Sequence, residues 1–175
     1  IAIELLKTYP REKINYPVAR SGGTFLHLAV QQYSQRKTEG ALRLIDALVK
    51  QGIDVNRRDD RSRSAVFYVR NYQGSLEILQ KLIANGADIN LRDQSGKTIL
   101  HVYAEQGALE LIRYLIGKGL DINLADNRGV TPLMDATRRG KMEIVNLLIK
   151  AGADIKMKDK QQNTLLHYAA RSRNF

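Results

Sequence analysis

Apolar and polar residues follow each other along this chain with the spacing of short amphipathic helices. The segment from Thr131 to Ile155 carries two stripes of apolar residues, with Leu133 and Ala136 in the first and Met142, Ile144, Val145, Leu148 and Ile149 in the second. Thr131 can cap the first helix, which Pro132 opens and Gly140 ends, and Gly152 ends the second. The pattern predicts a short helix, a turn, a longer helix and a polar loop. Helices this short need neighbours to pack against.

The same order of features recurs along most of the chain. Thr98, Thr131 and Thr164 begin three successive copies and are evenly spaced. Ser64 and Thr24 continue the series toward the N-terminus at longer intervals. The longer intervals reflect one extra residue near position 73 and about seven at positions 33–39. A nearly constant period of about 33 residues predicts stacked units that share one continuous core.

Two short signatures identify the type of repeat. The first is TFLH, TILH, TPLM and TLLH at positions 24–27, 98–101, 131–134 and 164–167. The second is GADIN, GLDIN and GADIK at positions 86–90, 119–123 and 152–156. Both resemble the signatures of ankyrin repeats, and the resemblance runs from about Ser21 to Ala170. It implies an all-α fold, an ankyrin-repeat solenoid of about four to five stacked helix-turn-helix repeats with hairpin-like loops between them.

The repeat boundaries follow from the resemblance. Residues 21–175 are expected to hold the repeats, at about 21–58, 59–92, 93–125, 126–158 and a partial one at 159–175. Residues 1–20 are expected to form an N-terminal capping helix or a partial repeat. In the second repeat SAVF replaces the signature at 64–67, and Arg70 stands where a small core residue is expected. We therefore expect the first helix of this repeat to sit slightly out of line. The insertion at 33–39 can form a projecting loop, for which a functional and a neutral role remain equally open.

Composition restricts the class of protein. The 175 residues spread their apolar positions evenly, which indicates one elongated domain, expected to be a monomer. Cysteine is absent, which excludes disulfides and thiolate metal sites but leaves a cytoplasmic, periplasmic or secreted location open. No apolar run approaches the roughly 18 residues that cross a bilayer. The formal charge of +10 favours an acidic partner.

The residues that could support catalysis follow the repeat instead of breaking it. His27, His101 and His167 each occupy the fourth place of the first signature, which favours bonds to the helix start or the next loop over catalysis. Two sets of aspartates also recur once per repeat and are expected to bond local backbone N–H groups: Asp59, Asp93, Asp126 and Asp159, and Asp54, Asp88, Asp121 and Asp154. No phosphate loop, zinc spacing or nucleophilic serine motif is visible. We predict no enzymatic activity, cofactor or metal.

The resemblance also implies where a partner binds. Ankyrin repeats usually contact partners through the loop tips and the exposed side of the first helices, a side on which Asp135 is also expected. Carried over by position, the predicted partner-binding residues are Arg57, Arg58, Arg61, Arg63, Tyr68, Tyr72, Lys97, Arg128, Arg138, Arg139, Lys158 and Lys160. Arginine and tyrosine are common anchors of protein interfaces.

The sequence thus predicts a non-catalytic protein–protein interaction module that grips an acidic partner surface with its concave face and loop tips. It would act either as a scaffold or targeting segment, or as an inhibitor of a partner enzyme. The alternative is binding of nucleic acid or another polyanion through the same basic face, where Tyr68 and Tyr72 lie beside Arg70. Steep weakening with salt would mark nucleic-acid binding. Contact with an anionic membrane surface is less favoured, since the N-terminal helix carries little basic charge.

Overall fold

The computed structural model of the chain describes residues 8–32 and 38–172, together with Glu4. Within these residues it contains eight α-helices, two short 3₁₀ helices and no strand, which confirms the predicted all-α class. Most of the predicted N-terminal helix and positions 33–37 of the insertion lie outside the described residues. The chain divides into two compact units, Ile1–Leu91 and Arg92–Phe175.

The helices whose bounds are described in the first unit are three α-helices and both 3₁₀ helices. Its elements in chain order are a 3₁₀ helix at Arg11–Lys13, α1 at Phe25–Gln32, α2 at Thr38–Lys50, a 3₁₀ helix at Ala65–Tyr68 and α3 at Ser75–Ala84. Helix α1 packs against α2 and against the second 3₁₀ helix, and α2 packs against α3. Leu26, Ile45, Leu48, Leu79 and Leu82 are fully buried and form the centre of the core.

The second unit repeats one helix pair more regularly. Its elements are α4 at Ile99–Gln106, α5 at Leu109–Ile116, α6 at Pro132–Arg138, α7 at Met142–Lys150 and α8 at Leu165–Ala170. Helix α6 lies between α4 and α8, so the first helices of three repeats form one layer, and α5 and α7 form a second layer behind them. This arrangement buries the apolar stripes that neither helix could cover alone.

The predicted helix boundaries are confirmed at the atomic level. The Thr131 hydroxyl accepts a hydrogen bond from the Met134 N–H at 3.3 Å, and Pro132 occupies the first turn of α6. Helix α7 is followed by Gly152, whose φ of 94° lies in the left-handed region that favours glycine.

The first helix of the second repeat differs from the prediction more than expected. It is a four-residue 3₁₀ helix that ends where Val69 becomes extended, instead of an α-helix slightly out of line. The equivalent positions Ala104 and Thr137 are buried, whereas Arg70 is exposed. Burying an unpaired guanidinium is costly, so the helix ends before Arg70 would enter the core. The start is also weakened, because Ser64 makes no side-chain cap and Phe67 replaces the histidine.

Successive loop tips within each unit are joined through backbone atoms. The N–H of Asp60 donates to the carbonyl of Ser21 at 3.0 Å, and the N–H of Asn127 donates to the carbonyl of Ser95 at 2.9 Å. The Lys160 N–H bonds the Arg128 carbonyl in the same way, at 2.9 Å. The tips approach so closely that a Cβ at Gly129 would lie 2.8 Å from the Lys160 nitrogen.

Candidate functional site

The recurring aspartates shape the tips that carry the predicted binding residues. In one set Oδ1 accepts hydrogen bonds from the N–H groups two and four residues later, at 2.8 or 2.9 Å: Asp59, Asp93, Asp126 and Asp159. In the other set Oδ1 accepts from the N–H two residues later, at 2.8 or 2.9 Å: Asp54, Asp88, Asp121 and Asp154. The predicted role of these carboxylates in local turns is confirmed.

Two of the histidines connect one repeat to the next. His27 Nδ1 accepts from the Thr24 N–H at 3.1 Å, and its Nε2 lies 3.0 Å from the Arg63 carbonyl oxygen. His101 repeats this arrangement with Thr98 at 3.1 Å and the Val130 carbonyl at 2.9 Å. In both histidines, a neutral imidazole ring that accepts a hydrogen bond at Nδ1 and donates one at Nε2 matches the two backbone partners. The predicted structural role is confirmed for these two residues.

The buried histidines predict a stability that falls in mild acid. Burial lowers the pKa of His27 and His101 below 6.5, against the smaller opposing effect of their carbonyl bonds. Just below pH 6.5, the unfolded chain therefore binds more protons at these two histidines than the folded chain does. The stability that is present above this pH is lost as the pH falls through the pKa values of the two histidines in the folded chain. We expect a lower urea midpoint by circular dichroism at about pH 5.5 than at about pH 7.5.

The matched control for this titration replaces both rings by a group that does not titrate. A variant with His27→Gln and His101→Gln should be less stable at neutral pH but should lose less of its stability on acidification. A midpoint of the parent chain that stays constant or rises on acidification would contradict the assignment of neutral buried rings.

One predicted binding residue of the first unit belongs to its core. Tyr68 is only 7% exposed, so its placement on the binding surface is wrong. Its hydroxyl donates to Asp59 Oδ2, and the Arg63 guanidinium bonds the same oxygen at 2.9 Å and lies 4.5 Å from the centre of the Tyr68 ring. Burial and the Asp59 bond raise the pKa of Tyr68 to about 12. The Arg63 side chain thus bonds groups of its own tip, and little of its charge is available to bind a partner.

Other cations of the same tip face the solvent. Arg57 and Arg61 are exposed, and neither side chain has an ion-pair partner among the described residues. Arg58 is exposed as well, but its Nε donates to the Ser62 carbonyl at 2.9 Å. Tyr72 is 40% exposed, in agreement with its predicted place on the surface.

A network of charged groups lies inside the second unit. Asp135 is fully buried, so its expected place on the exposed side of the helix is wrong. Its carboxylate accepts from Lys97 Nζ at 2.9 Å and from Arg138 at 2.7 Å. Glu105 accepts from Lys97 as well, and lies 3.1 Å from Arg138 and 3.5 Å from Arg139. Lys97 and Arg138 are therefore engaged within the protein.

The hydrogen bonds of this network favour the charged forms of Lys97 and Glu105. Burial by itself would lower the pKa of Lys97, but the hydrogen bonds and charges of Asp135 and Glu105 outweigh it and raise the pKa. Burial would raise the pKa of Glu105, yet Lys97 holds it below the ordinary value. Charged groups persist in a partly buried site when oppositely charged groups bond them directly.

A pocket of about 370 Å³ lies between two neighbouring tips of the second unit. Its lining includes the predicted residues Arg128, Arg138 and Lys160, which the fold brings together. It also includes Arg171, which follows Thr164 by seven residues, as Arg138 follows Thr131. The repeat register therefore places Arg171 on the exposed side of its helix, and the structure shows it exposed.

The wall of the pocket carries one buried carboxylate, which is hydrogen-bonded to neighbouring side chains. Asp159 accepts from the Tyr168 hydroxyl at 2.7 Å and from the Asn163 side chain at 2.8 Å. Burial would raise its pKa, but these bonds and those from the backbone lower the pKa to about 2. Tyr168 packs with Val130 and Met134 in a small apolar cluster.

Within the described residues, His, Asp and Glu do not gather into a group of three or more that could hold a metal ion. In that same part of the chain, every helix is too short or too polar to cross a membrane. The exposed groups that line the pocket are cations and amides, which can bind anionic groups.

The comparisons with known proteins agree with this architecture. A family model described as ankyrin repeats, in three copies, matches residues 65–159, which is more than half of the chain. A search of curated proteins finds no match. The family match, with the capped helices and tips described above, shows that the chain belongs to the ankyrin repeat family, whose repeats generally form non-catalytic modules for protein–protein interaction.

Proposed function

We propose that this interaction module binds an acidic surface of a partner protein through the cations at its loop tips. The observation that carries the proposal is the division of the cations into two groups. Arg63, Lys97 and Arg138 are bonded to carboxylates of the chain itself. The exposed tip cations Arg57, Arg61, Lys158 and Lys160 have no ion-pair partner among the described residues.

The two groups differ in what they can contribute to binding. A cation that already pairs with a buried carboxylate gives up that contact to bind a partner, so its net contribution is small. An exposed cation without such a partner keeps its charge available and attracts an acidic protein from a distance. Tyr72 adds a partly exposed aromatic ring in the first unit.

Affinity capture with charge-reversed variants tests this proposal. The tip variant carries glutamate at Arg57, Arg61, Lys158 and Lys160. A matched control carries glutamate at exposed cations of α2, α5 and α7 and after α5, namely Lys50, Arg113, Lys150 and Lys118. Both variants change the net charge equally, so a difference between them reports position and not total charge. Circular dichroism confirms that each variant is folded before capture from the native source and mass spectrometry.

We expect an acidic protein to be captured by the parent chain and by the control, but not by the tip variant. Capture of the same protein by the tip variant would refute the proposal. Recovery of nucleic acid in place of a protein, with steep loss as salt rises, would favour the polyanion alternative. If the captured partner is an enzyme, loss of its activity on binding would identify the chain as an inhibitor.

A further inference from the structure

The pocket of the second unit suggests which chemical group of the partner this unit recognises. We propose that the pocket binds the carboxylate of a single aspartate or glutamate side chain from an acidic segment of the partner, an inference that rests on the proposed function. Arg128, Lys160 and Arg171 are the cations that would meet it.

The charges around the pocket favour an ion of charge minus one. Arg138 lines the pocket, but Arg138 and Lys97 together are balanced by the two carboxylates that they share, Asp135 and Glu105. The other three cations face two carboxylates, Asp159 in the lining and Asp126, whose Oδ2 lies 3.5 Å from Arg128. The three cations exceed the two carboxylates by one positive charge, and one incoming carboxylate would neutralise this charge.

The same carboxylates disfavour a phosphate group. Asp159 makes its hydrogen bonds with neutral donors, Tyr168, Asn163 and backbone N–H groups, so no ion-pair partner inside the turn cancels its negative charge. A phosphate dianion would exceed the single excess positive charge of the pocket and would bring two negative charges close to this carboxylate, and like charges at short range repel strongly. A side-chain carboxylate matches the excess charge and meets half of that repulsion.

Two of the three cations at the mouth have no ion-pair partner among the described residues. The Lys160 side chain has no hydrogen-bond partner there, and the Arg171 side chain has one long hydrogen bond, 3.4 Å, to the Asn163 side chain. The Arg128 side chain is 72% exposed, and its pair with Asp126 is long, at 3.5 Å. Below them, Val130 and the Tyr168 ring offer an apolar surface on which the methylene groups of an aspartate or glutamate can pack.

Amide chemical shifts of the whole isotope-labelled chain test the proposal with defined probes. The probes are capped tripeptides, glycine at each end with glutamate, glutamine or phosphoserine in the middle. The glutamate peptide should shift the amide signals of the tips at 127–129 and 160–162, and the glutamine peptide should not. Changing Lys160→Gln and Arg171→Gln together should weaken glutamate binding about tenfold. Changing Lys150→Gln and Lys156→Gln, which removes the same charge elsewhere in the unit, should leave the affinity unchanged.

Three results would overturn the inference: no shift at these tips, equal weakening by the two double variants, or tighter binding of the phosphoserine peptide. Its failure can be distinguished from failure of the proposed function. If the partner is lost by the tip variant but kept by the Lys160 and Arg171 variant, the acidic interface stands and the pocket is not its recognition site. If no acidic partner is captured, the proposed function fails whatever the peptides do.

Discussion

Replacing Asp135 by alanine is expected to lower the free energy of unfolding by about 3 kcal/mol, the effect of breaking a buried ion pair from one side. The carboxylate is fully buried and accepts from Lys97 and Arg138. Without it, these two cations retain only Glu105 within a partly buried site. Urea unfolding followed by circular dichroism measures the loss.

Two comparisons separate the network from a general effect of removing an acid. Glu143→Ala removes an exposed carboxylate from the same unit and should change stability by less than about 0.5 kcal/mol. In a double-mutant cycle, Lys97→Met should reduce the cost of Asp135→Ala, because the cation that it would leave unpaired is gone. Additive effects of the two substitutions would show that Lys97 and Asp135 do not interact.

The second large effect is expected at His101. Changing His101→Ala removes a fully buried ring and leaves the Thr98 N–H and the Val130 carbonyl without their partner. The lost bonds and the cavity together should cost about 3 kcal/mol. Hydrogen exchange at the amide of Thr98 should accelerate with the loss of stability.

His167 provides a natural control for this prediction. It occupies the same place of the repeat and accepts from the Thr164 N–H at 3.1 Å, but it is exposed. His167→Ala should therefore cost about 1 kcal/mol, the value of a helix cap alone. The difference between the two substitutions measures the contribution of the bond between repeats and of burial. Equal costs would mean that the cap, and not the connection to the next repeat, accounts for the role of His101.

Features that repeat within one period could be predicted from the sequence. The cap at Thr131 and the turn at Asp159 depend on neighbours within a few residues. The role of His101 depends on a position that recurs in several repeats. Both kinds of pattern can be recognised in a single sequence. The shortened helix at 65–68 was foreseen only as a small shift, because the sequence marks Arg70 as unusual without showing how the backbone responds.

Features that depend on one particular pair of repeats could not be predicted in this way. Asp135 and Tyr68 occupy equivalent register positions, and both are buried. Tyr68 bonds the aspartate nine residues before it, whereas Asp135 meets Lys97 from the preceding repeat. The side chain at this position changes between repeats, so the family signature does not specify its partner.

Hydrogen bonds between backbone atoms of successive tips fix the spacing of the repeats, so this spacing does not depend on which side chains the surface carries. Asp60, Asn127 and Lys160 occupy one equivalent position, and each donates the same N–H to the preceding tip of its unit. Their side chains are an acid, an amide and a base, yet the connection is unaffected because it uses main-chain atoms. Selection can therefore exchange charges at these positions with little cost to folding, and the binding preference of the module can evolve while its scaffold is preserved.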